Sequence, residues 1–312
     1  MSKARLLLGF FAGGLLLSAQ NAPQASHEGV PVRVVVTVEG RNGHEANVPS
    51  LGRGDVLAYE GKERLTVIDF KQADRELALF VLLDDASSTN LGIQLDDLRR
   101  FIREQPATAA VGVGYMRNGM VNIAQDLSRD HEAAVRGLRL PLGSADAMTS
   151  PYLSLSDLIK RWPSGAARRV VVMLTSGIDP LGGPDLLNPY LDAAIMDAQR
   201  AGIPVYAIYM PAAGHGGHSF YLMYWGQNQL AKLTEETGGE AYMLGFGAPV
   251  SVGGYLDEIS AHLAHQYVAT VLMKPAARAG FRKVRFTTEV SGAELIAPAK
   301  VYVPAASGQP AR

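Results

Sequence analysis

Leu77 to Leu83 (LALFVLL) is a continuous apolar run. Such a run predicts a strand buried on both faces, as in a parallel sheet. Arg169–Thr175 (RVVVMLT) repeats the pattern, and Ala109–Tyr115 and Pro204–Tyr209 also read as strands. Between them the spacing changes. Leu91, Ile93, Leu95, Leu98, Phe101 and Ile102 follow mostly helical spacing. Helices are also predicted over His131–Leu140, Ser154–Trp162, Pro189–Ala201, Asn228–Thr237 and Leu256–Ala264. Ala241–Leu244 reads as one more strand. Asn118-Gly119 between two strand-like runs predicts a hairpin from Ala109–Tyr115 into Gly119–Ala124. Strands alternating with helices predict an α/β fold: a doubly wound, mostly parallel sheet with helices on both faces.

Both flanks of this segment read differently. Val30–Val38 (VPVRVVVTV) is rich in β-branched residues, and short strands follow near Asp55–Tyr59 and Arg64–Phe70. Strand signals return at Gln266–Leu272, Phe281–Glu289 and Glu294–Val303. The economical arrangement joins the two flanks in one small β-sandwich-like module, with the α/β domain inserted between them. The expected division is 1–19 signal peptide, 20–75 N-terminal β segment, 76–265 α/β domain, 266–304 C-terminal β segment and 305–312 tail.

The first residues carry a basic head (Lys3, Arg5), an apolar stretch from Leu6 to Leu17, and small or polar residues from Ser18 to Ala22. These are the three parts of a secretory signal. Twelve residues reach only about 18 Å as a helix, short of the roughly 30 Å hydrocarbon layer. Export to the periplasm, envelope or medium is therefore expected, with no membrane span once the signal is removed.

Composition narrows the function classes. The chain has 312 residues, 29 basic and 30 acidic, with no run of like charges. That balance argues against nucleic acid as the main partner. Cysteine is absent, which removes thiolate metal sites, cysteine nucleophiles and disulfides. Gly112-Val113-Gly114 lacks the spacing of a phosphate cradle. His131-Glu132 is followed by Val135 where a zinc-protease helix needs a second histidine. His215 and His218 fall in a Gly-rich loop beside Tyr221, Tyr224 and Trp225, and His262 and His265 are expected on the surface of the last helix.

The loop after the first buried strand is the richest in chemistry: Asp84-Asp85-Ala86-Ser87-Ser88-Thr89-Asn90. In open α/β sheets, ligands bind beyond the carboxyl ends of the strands. Asp85, Ser87 and Thr89 stand two apart, and such mixed oxygen donors on a tight loop suit a hard divalent cation. The same residues would also serve as an ordinary helix N-cap.

The segment LFVLLDDASST resembles the first metal-binding segment of von Willebrand factor A domains. VVVTVEG before the domain, HQYVATVLMKP after it, and SPYLSLSDLIKRWP and RRVVVMLTSGIDP within it resemble the exported acidobacterial-type relatives of those domains. The resemblance implies a metal-ion-dependent adhesion site holding Mg2+ or Mn2+ at the top of the sheet. Asp85, Ser87 and Thr89 would supply the first loop and Thr149 the second, with Ser150 as runner-up. In the third loop Ser176 stands where the family has an aspartate, and Asp179 lies three residues further on. The implied function is non-enzymatic: binding of a protein ligand, whose own acidic side chain would complete the metal shell. The alternatives are a scaffold subunit of an envelope complex with a decayed metal site, and a metal-dependent hydrolase.

Overall fold

The computed structural model describes residues 29–40, 48–73, 76–143, 150–163, 165, 167–183 and 187–305. The expected signal peptide, Thr149 and most of the tail lie outside these residues.

The central sheet has six strands: β4 (Leu77–Asp84), β5 (Ala110–Arg117), β6 (Met120–Ser128), β7 (Arg168–Thr175), β8 (Val205–Tyr209) and β9 (Ala241–Tyr242). Their order is β6-β5-β4-β7-β8-β9. All neighbours are parallel except the β5–β6 hairpin. Asn118 and Gly119 turn that hairpin at φ 52° and 71°, the left-handed pair that this two-residue turn requires. Every residue of β4 is buried, which is why its sequence shows no polar alternation.

Side-chain alternation divides β4 between two cores. Leu79, Val81 and Leu83 pack with α1 (Leu95–Glu104), α2 (His131–Arg136) and α6 (Gly253–Ala264). Ala78, Phe80 and Leu82 pack with α3 (Pro151–Arg161), α4 (Pro189–Ala201) and α5 (Phe220–Thr237). The α/β expectation therefore agrees with the architecture. Five helices differ from it in extent, α3 and α6 by starting three residues early, at Pro151 and Gly253. Leu91 lies in a 3-10 turn, Thr89–Gln94, that precedes α1. α2 stops at Arg136, and Gly137 caps its end. α5 begins at Phe220, eight residues earlier than expected, because Ser219 caps it through Leu222 N.

The flanking segments form a six-stranded sheet in the order β12-β2-β3-β10-β1-β13. It contains β1 (Val30–Gly40), β2 (Val56–Glu60), β3 (Glu63–Gln72), β10 (Gln266–Met273), β12 (Arg285–Thr288) and β13 (Ala293–Ile296). β1 and β10 run antiparallel from Val30↔Met273 to Thr37↔Gln266, so the two flanks share one sheet. β11 (Gly280–Lys283) and β14 (Lys300–Val303) form a separate two-stranded ribbon. Val301 and Val303 of the ribbon share a core with Val32, Val34 and Val36. One layer has only two strands, so the expected sandwich is not confirmed. Lys300 Nζ pairs with Glu236 at 3.0 Å, and Arg168 donates to Leu263 O and to Gln266, which ties this module to the α/β domain.

Candidate functional site

The carboxyl ends of β4 and β7 bring most of the expected residues together, but in two separate groups. Adjacent residues at a strand end point to opposite faces. Asp84 continues the Phe80–Leu82 face and Asp85 the Val81–Leu83 face.

Asp84 is fully buried. Its Oδ1 accepts Ala86 N–H at 2.9 Å, and its Oδ2 accepts Thr175 Oγ1 at 2.7 Å. Thr175 Oγ1 in turn accepts Gly177 N–H at 3.1 Å, and Tyr152 donates its hydroxyl to Gly177 O at 2.9 Å. Burial pushes the Tyr152 hydroxyl well above its ordinary pKa, and the fields of Asp179 and Asp84 add to the effect. Tyr152 is therefore a neutral donor. The carboxylate that bridges the first and third loops belongs to Asp84, not to Asp85. Two consecutive aspartates give no sign in sequence of which one does so.

Asp85 is 1% exposed and faces the other way. Arg139 grips it with both nitrogens, Nη1 to Oδ1 at 2.7 Å and Nη2 to Oδ2 at 2.9 Å. Leu142 N–H adds a third bond at 3.3 Å. The guanidinium lies 3.6 Å above the Tyr115 ring. Its hydrogen bond to Asp85 raises the Arg139 pKa against the opposing effect of burial. No motif marks Arg139, which is 54 residues away in the chain.

Asp179 is also buried and fully engaged. Its Oδ1 accepts Leu181 N–H and Gly182 N–H, and its Oδ2 accepts Ser150 Oγ at 2.9 Å and Asn188 Nδ2 at 3.0 Å. Ser150 also caps α3 through Leu153 N–H, and Asn188 caps α4 through Tyr190 and Leu191. Asp179 thus ties the starts of two helices to the third loop. Ser176 is 2% exposed, and its Oγ accepts Ile178 N–H at 3.3 Å.

Gly177 explains the tight third loop. It has φ +68°, and a Cβ there would lie 2.4 Å from Gly226 O of α5. A Cβ on Gly226 would lie 2.3 Å from Ser176 O. The loop and helix therefore meet backbone to backbone.

These donors fit a divalent ion poorly. The Asp85 charge is already neutralised by Arg139, Asp179 has four donors, and Ser176 brings no charge. Thr89 is exposed at the start of its 3-10 turn. Ser87 Oγ favours an ion: it is fully buried and makes no hydrogen bond among the described residues.

Beside the third loop lies a cleft of about 250 Å³, lined by Ile178, Asp179, Pro180, Leu222, Trp225 and Gln229, among others. Phe220, Tyr221 and Tyr224 project from the first turns of α5 and are 64%, 56% and 47% exposed. Phe220 packs edge-on to Phe246 at 4.8 Å, and Tyr221 to Trp225 at 6.0 Å. These aromatics belong to a helix rather than to the loop expected around them.

No protein-family model matches the chain, and no curated protein matches it. Several solved structures are similar, among them von Willebrand factor A domains. An aerotolerance-related membrane protein from Bacteroides fragilis is 14% identical with a TM-score of 0.42, covering 60% of this chain and 98% of its own. The ArnB paralog VWA2 from Sulfolobus acidocaldarius is 9% identical with a TM-score of 0.38, covering 88% of this chain and 76% of its own. The SpRpn10 VWA domain is 11% identical with a TM-score of 0.39, covering 59% of this chain and 95% of its own. Among the described residues, no helix is long and apolar enough to cross a membrane.

Proposed function

We propose that this chain is an exported, non-enzymatic protein-binding module whose recognition surface lies at the third loop and the start of α5. The observation that carries the reading is the 250 Å³ cleft between Ile178–Pro180 and Trp225, with the exposed Tyr221 and Tyr224 packed edge-on against that tryptophan. Interfaces are enriched in such aromatic anchors, and a cleft of this size accepts one apolar side chain of a partner. The basic head and apolar stretch at the N-terminus support export.

Recognition on this reading needs no divalent ion. The Arg139 guanidinium provides the positive charge that Mg2+ or Mn2+ would otherwise bring to Asp85, while Asp179 and Ser150 brace the loops. A hydrolase is disfavoured because, among the described residues, Ser87 Oγ is hydrogen-bonded to no base that would activate it. The scaffold reading has its own support: both Asp85 and Asp179 serve internal contacts that hold loops in place.

The test is capture of envelope proteins by the immobilised wild type and by a Tyr221→Ser/Tyr224→Ser variant, each with and without EDTA. One partner retained by the wild type in EDTA and lost by the variant is expected. Capture that survives the double substitution would place recognition elsewhere. Capture that requires magnesium would restore the adhesion-site mechanism.

A further inference from the structure

A second cavity lies at the opposite end of the central sheet, between the two modules. It has a volume of about 290 Å³ and its lining includes Arg33, Arg168, Arg169 and Arg200. Among the described residues, no aspartate or glutamate lines it. Other partly exposed cations are matched by carboxylates: Arg139 with Asp85, Arg282 with Glu60, Lys300 with Glu236.

Here the arginines have only neutral partners among the described residues. Arg169 Nη2 donates to Ala201 O, at the end of α4, at 2.6 Å. Arg168 Nη1 donates to Leu263 O at 2.9 Å and to Gln266, while its Nε is buried without a hydrogen bond. The Arg200 guanidinium sits 5.1 Å from the Tyr302 ring centroid and 5.6 Å from that of Phe281. Arg33 stands exposed on the face of β1 opposite the buried Val32 and Val34, and its side chain makes no hydrogen bond or ion pair among the described residues. Burial lowers the pKa of both Arg168 and Arg169, the signature of charge taken from water without an opposite charge beside it.

The plain explanation is that Arg168 and Arg169 cap the ends of α6 and α4. A helix carboxyl end offers about half an elementary charge. Two such ends offset about one of the two charges of Arg168 and Arg169. The rest of that charge is left unmatched in a partly buried site, where an entering anion would offset it, while Arg33 and Arg200 stand exposed at the mouth.

We propose that this inter-module cavity binds a phosphate-type oxyanion, either free phosphate or a small phosphate monoester. The guanidinium fork matches tetrahedral oxyanions in two-point contact. The volume admits a phosphate and a short organic group and nothing much larger. Arg33 comes from the β module, and Arg168, Arg169 and Arg200 come from the α/β domain. A bound anion therefore ties the two modules together, independently of the recognition surface at the other end of the sheet.

The experiment uses the full chain. Thermal unfolding and calorimetry are run with sodium phosphate against sodium chloride at matched ionic strength, then with glycerol phosphate and with phosphatidate-containing vesicles. A saturable rise in Tm with phosphate, absent with chloride, is expected at millimolar concentrations. Arg33→Gln should weaken binding about tenfold. It touches nothing that folding needs, and Arg169→Gln provides the second arm. Tighter binding of glycerol phosphate than of inorganic phosphate would identify the soluble monoester as the ligand, and vesicle binding lost in Arg33→Gln would identify a lipid headgroup. No saturable response to phosphate, or a response unchanged in Arg33→Gln, overturns the proposal.

Discussion

Arg139 holds both carboxylate oxygens of Asp85, at 2.7 and 2.9 Å, and Asp85 is buried. The pair neutralises within the chain the residue best placed by sequence to face a cation. Removal of one member of a buried pair leaves an uncompensated charge, which typically costs about 3–5 kcal/mol. Arg139 is 42% exposed, so solvent reduces the loss to the lower end of that range. Arg139→Ala is expected to destabilise by about 3 kcal/mol in urea titrations, and Arg139→Ala/Asp85→Ala by less than Arg139→Ala alone. Equal losses in the two variants would show that the pair is not coupled.

The same pair sets the response to metal. The Tm of the wild type should not move with millimolar magnesium, whereas that of Arg139→Ala, with Asp85 released, should rise. A clear rise in the wild type would mean that the ion displaces Arg139.

Asp179 and Ser150 brace the third loop against the start of α3. Ser150→Ala removes the α3 cap and one bond to Asp179, and should cost about 1–2 kcal/mol. Asp179→Asn turns an amide against donors that a carboxylate accepts, and should cost about 2–3 kcal/mol. Both losses are expected without metal. Unchanged stability in both variants would point instead to residues kept for a ligand.

Gly177 and Gly61 separate strain from contact. Both have positive φ, 68° and 60°, but a Cβ on Gly61 meets nothing within 4 Å. Gly61→Ala should cost about 1–2 kcal/mol, the penalty for the left-handed region alone. Gly177→Ala should cost several kcal/mol more, because the third loop must separate from α5. Similar denaturation midpoints for the two variants would contradict the backbone contact.

His262 should make stability depend on pH. Contrary to the sequence expectation of a surface position, it is 2% exposed. Burial pushes its pKa down, but contact with Glu39 and the fields of Glu240 and Glu258 outweigh this, and the net pKa is raised. Glu39 comes from β1, Glu240 precedes β9, and Glu258 is one turn away on α6. Ligating atoms of the four residues lie within 4.8 Å of one another. Tyr242 of β9 and Tyr206 of β8 also face the imidazole, and burial pushes Tyr206 up to about 12, so it stays neutral throughout. A raised folded pKa stabilises fully below the unfolded value of about 6.5, and that contribution is lost as pH rises through the folded pKa. Urea titrations at pH 6 and pH 8.5 should show a loss in the wild type that His262→Gln lacks. The same slope in both would assign the titration to another group.

Local pattern alone determined much of this protein. The apolar runs of β4 and β7, the Asn118-Gly119 hairpin and the bounds of α4 were legible because each follows from nearest-neighbour chemistry: burial on both faces, a left-handed turn pair, and an Asn cap followed by proline. The start of α5 was not legible, because its exposed aromatics break the polar face expected of a surface helix. His262 looks like a helix-surface residue until β1 and β9 close over it. The two carboxylates of Asp84 and Asp85 are adjacent in sequence, and only the termination of β4 decides which face each takes. Arg139 reaches Asp85 only when α2 packs on the sheet and stops at Gly137. The arginines of the inter-module cavity come from residues 33 to 200, which are distant in sequence and show no periodicity. Such convergence depends on how layers pack, and packing is set by long-range contacts that a one-dimensional pattern does not encode.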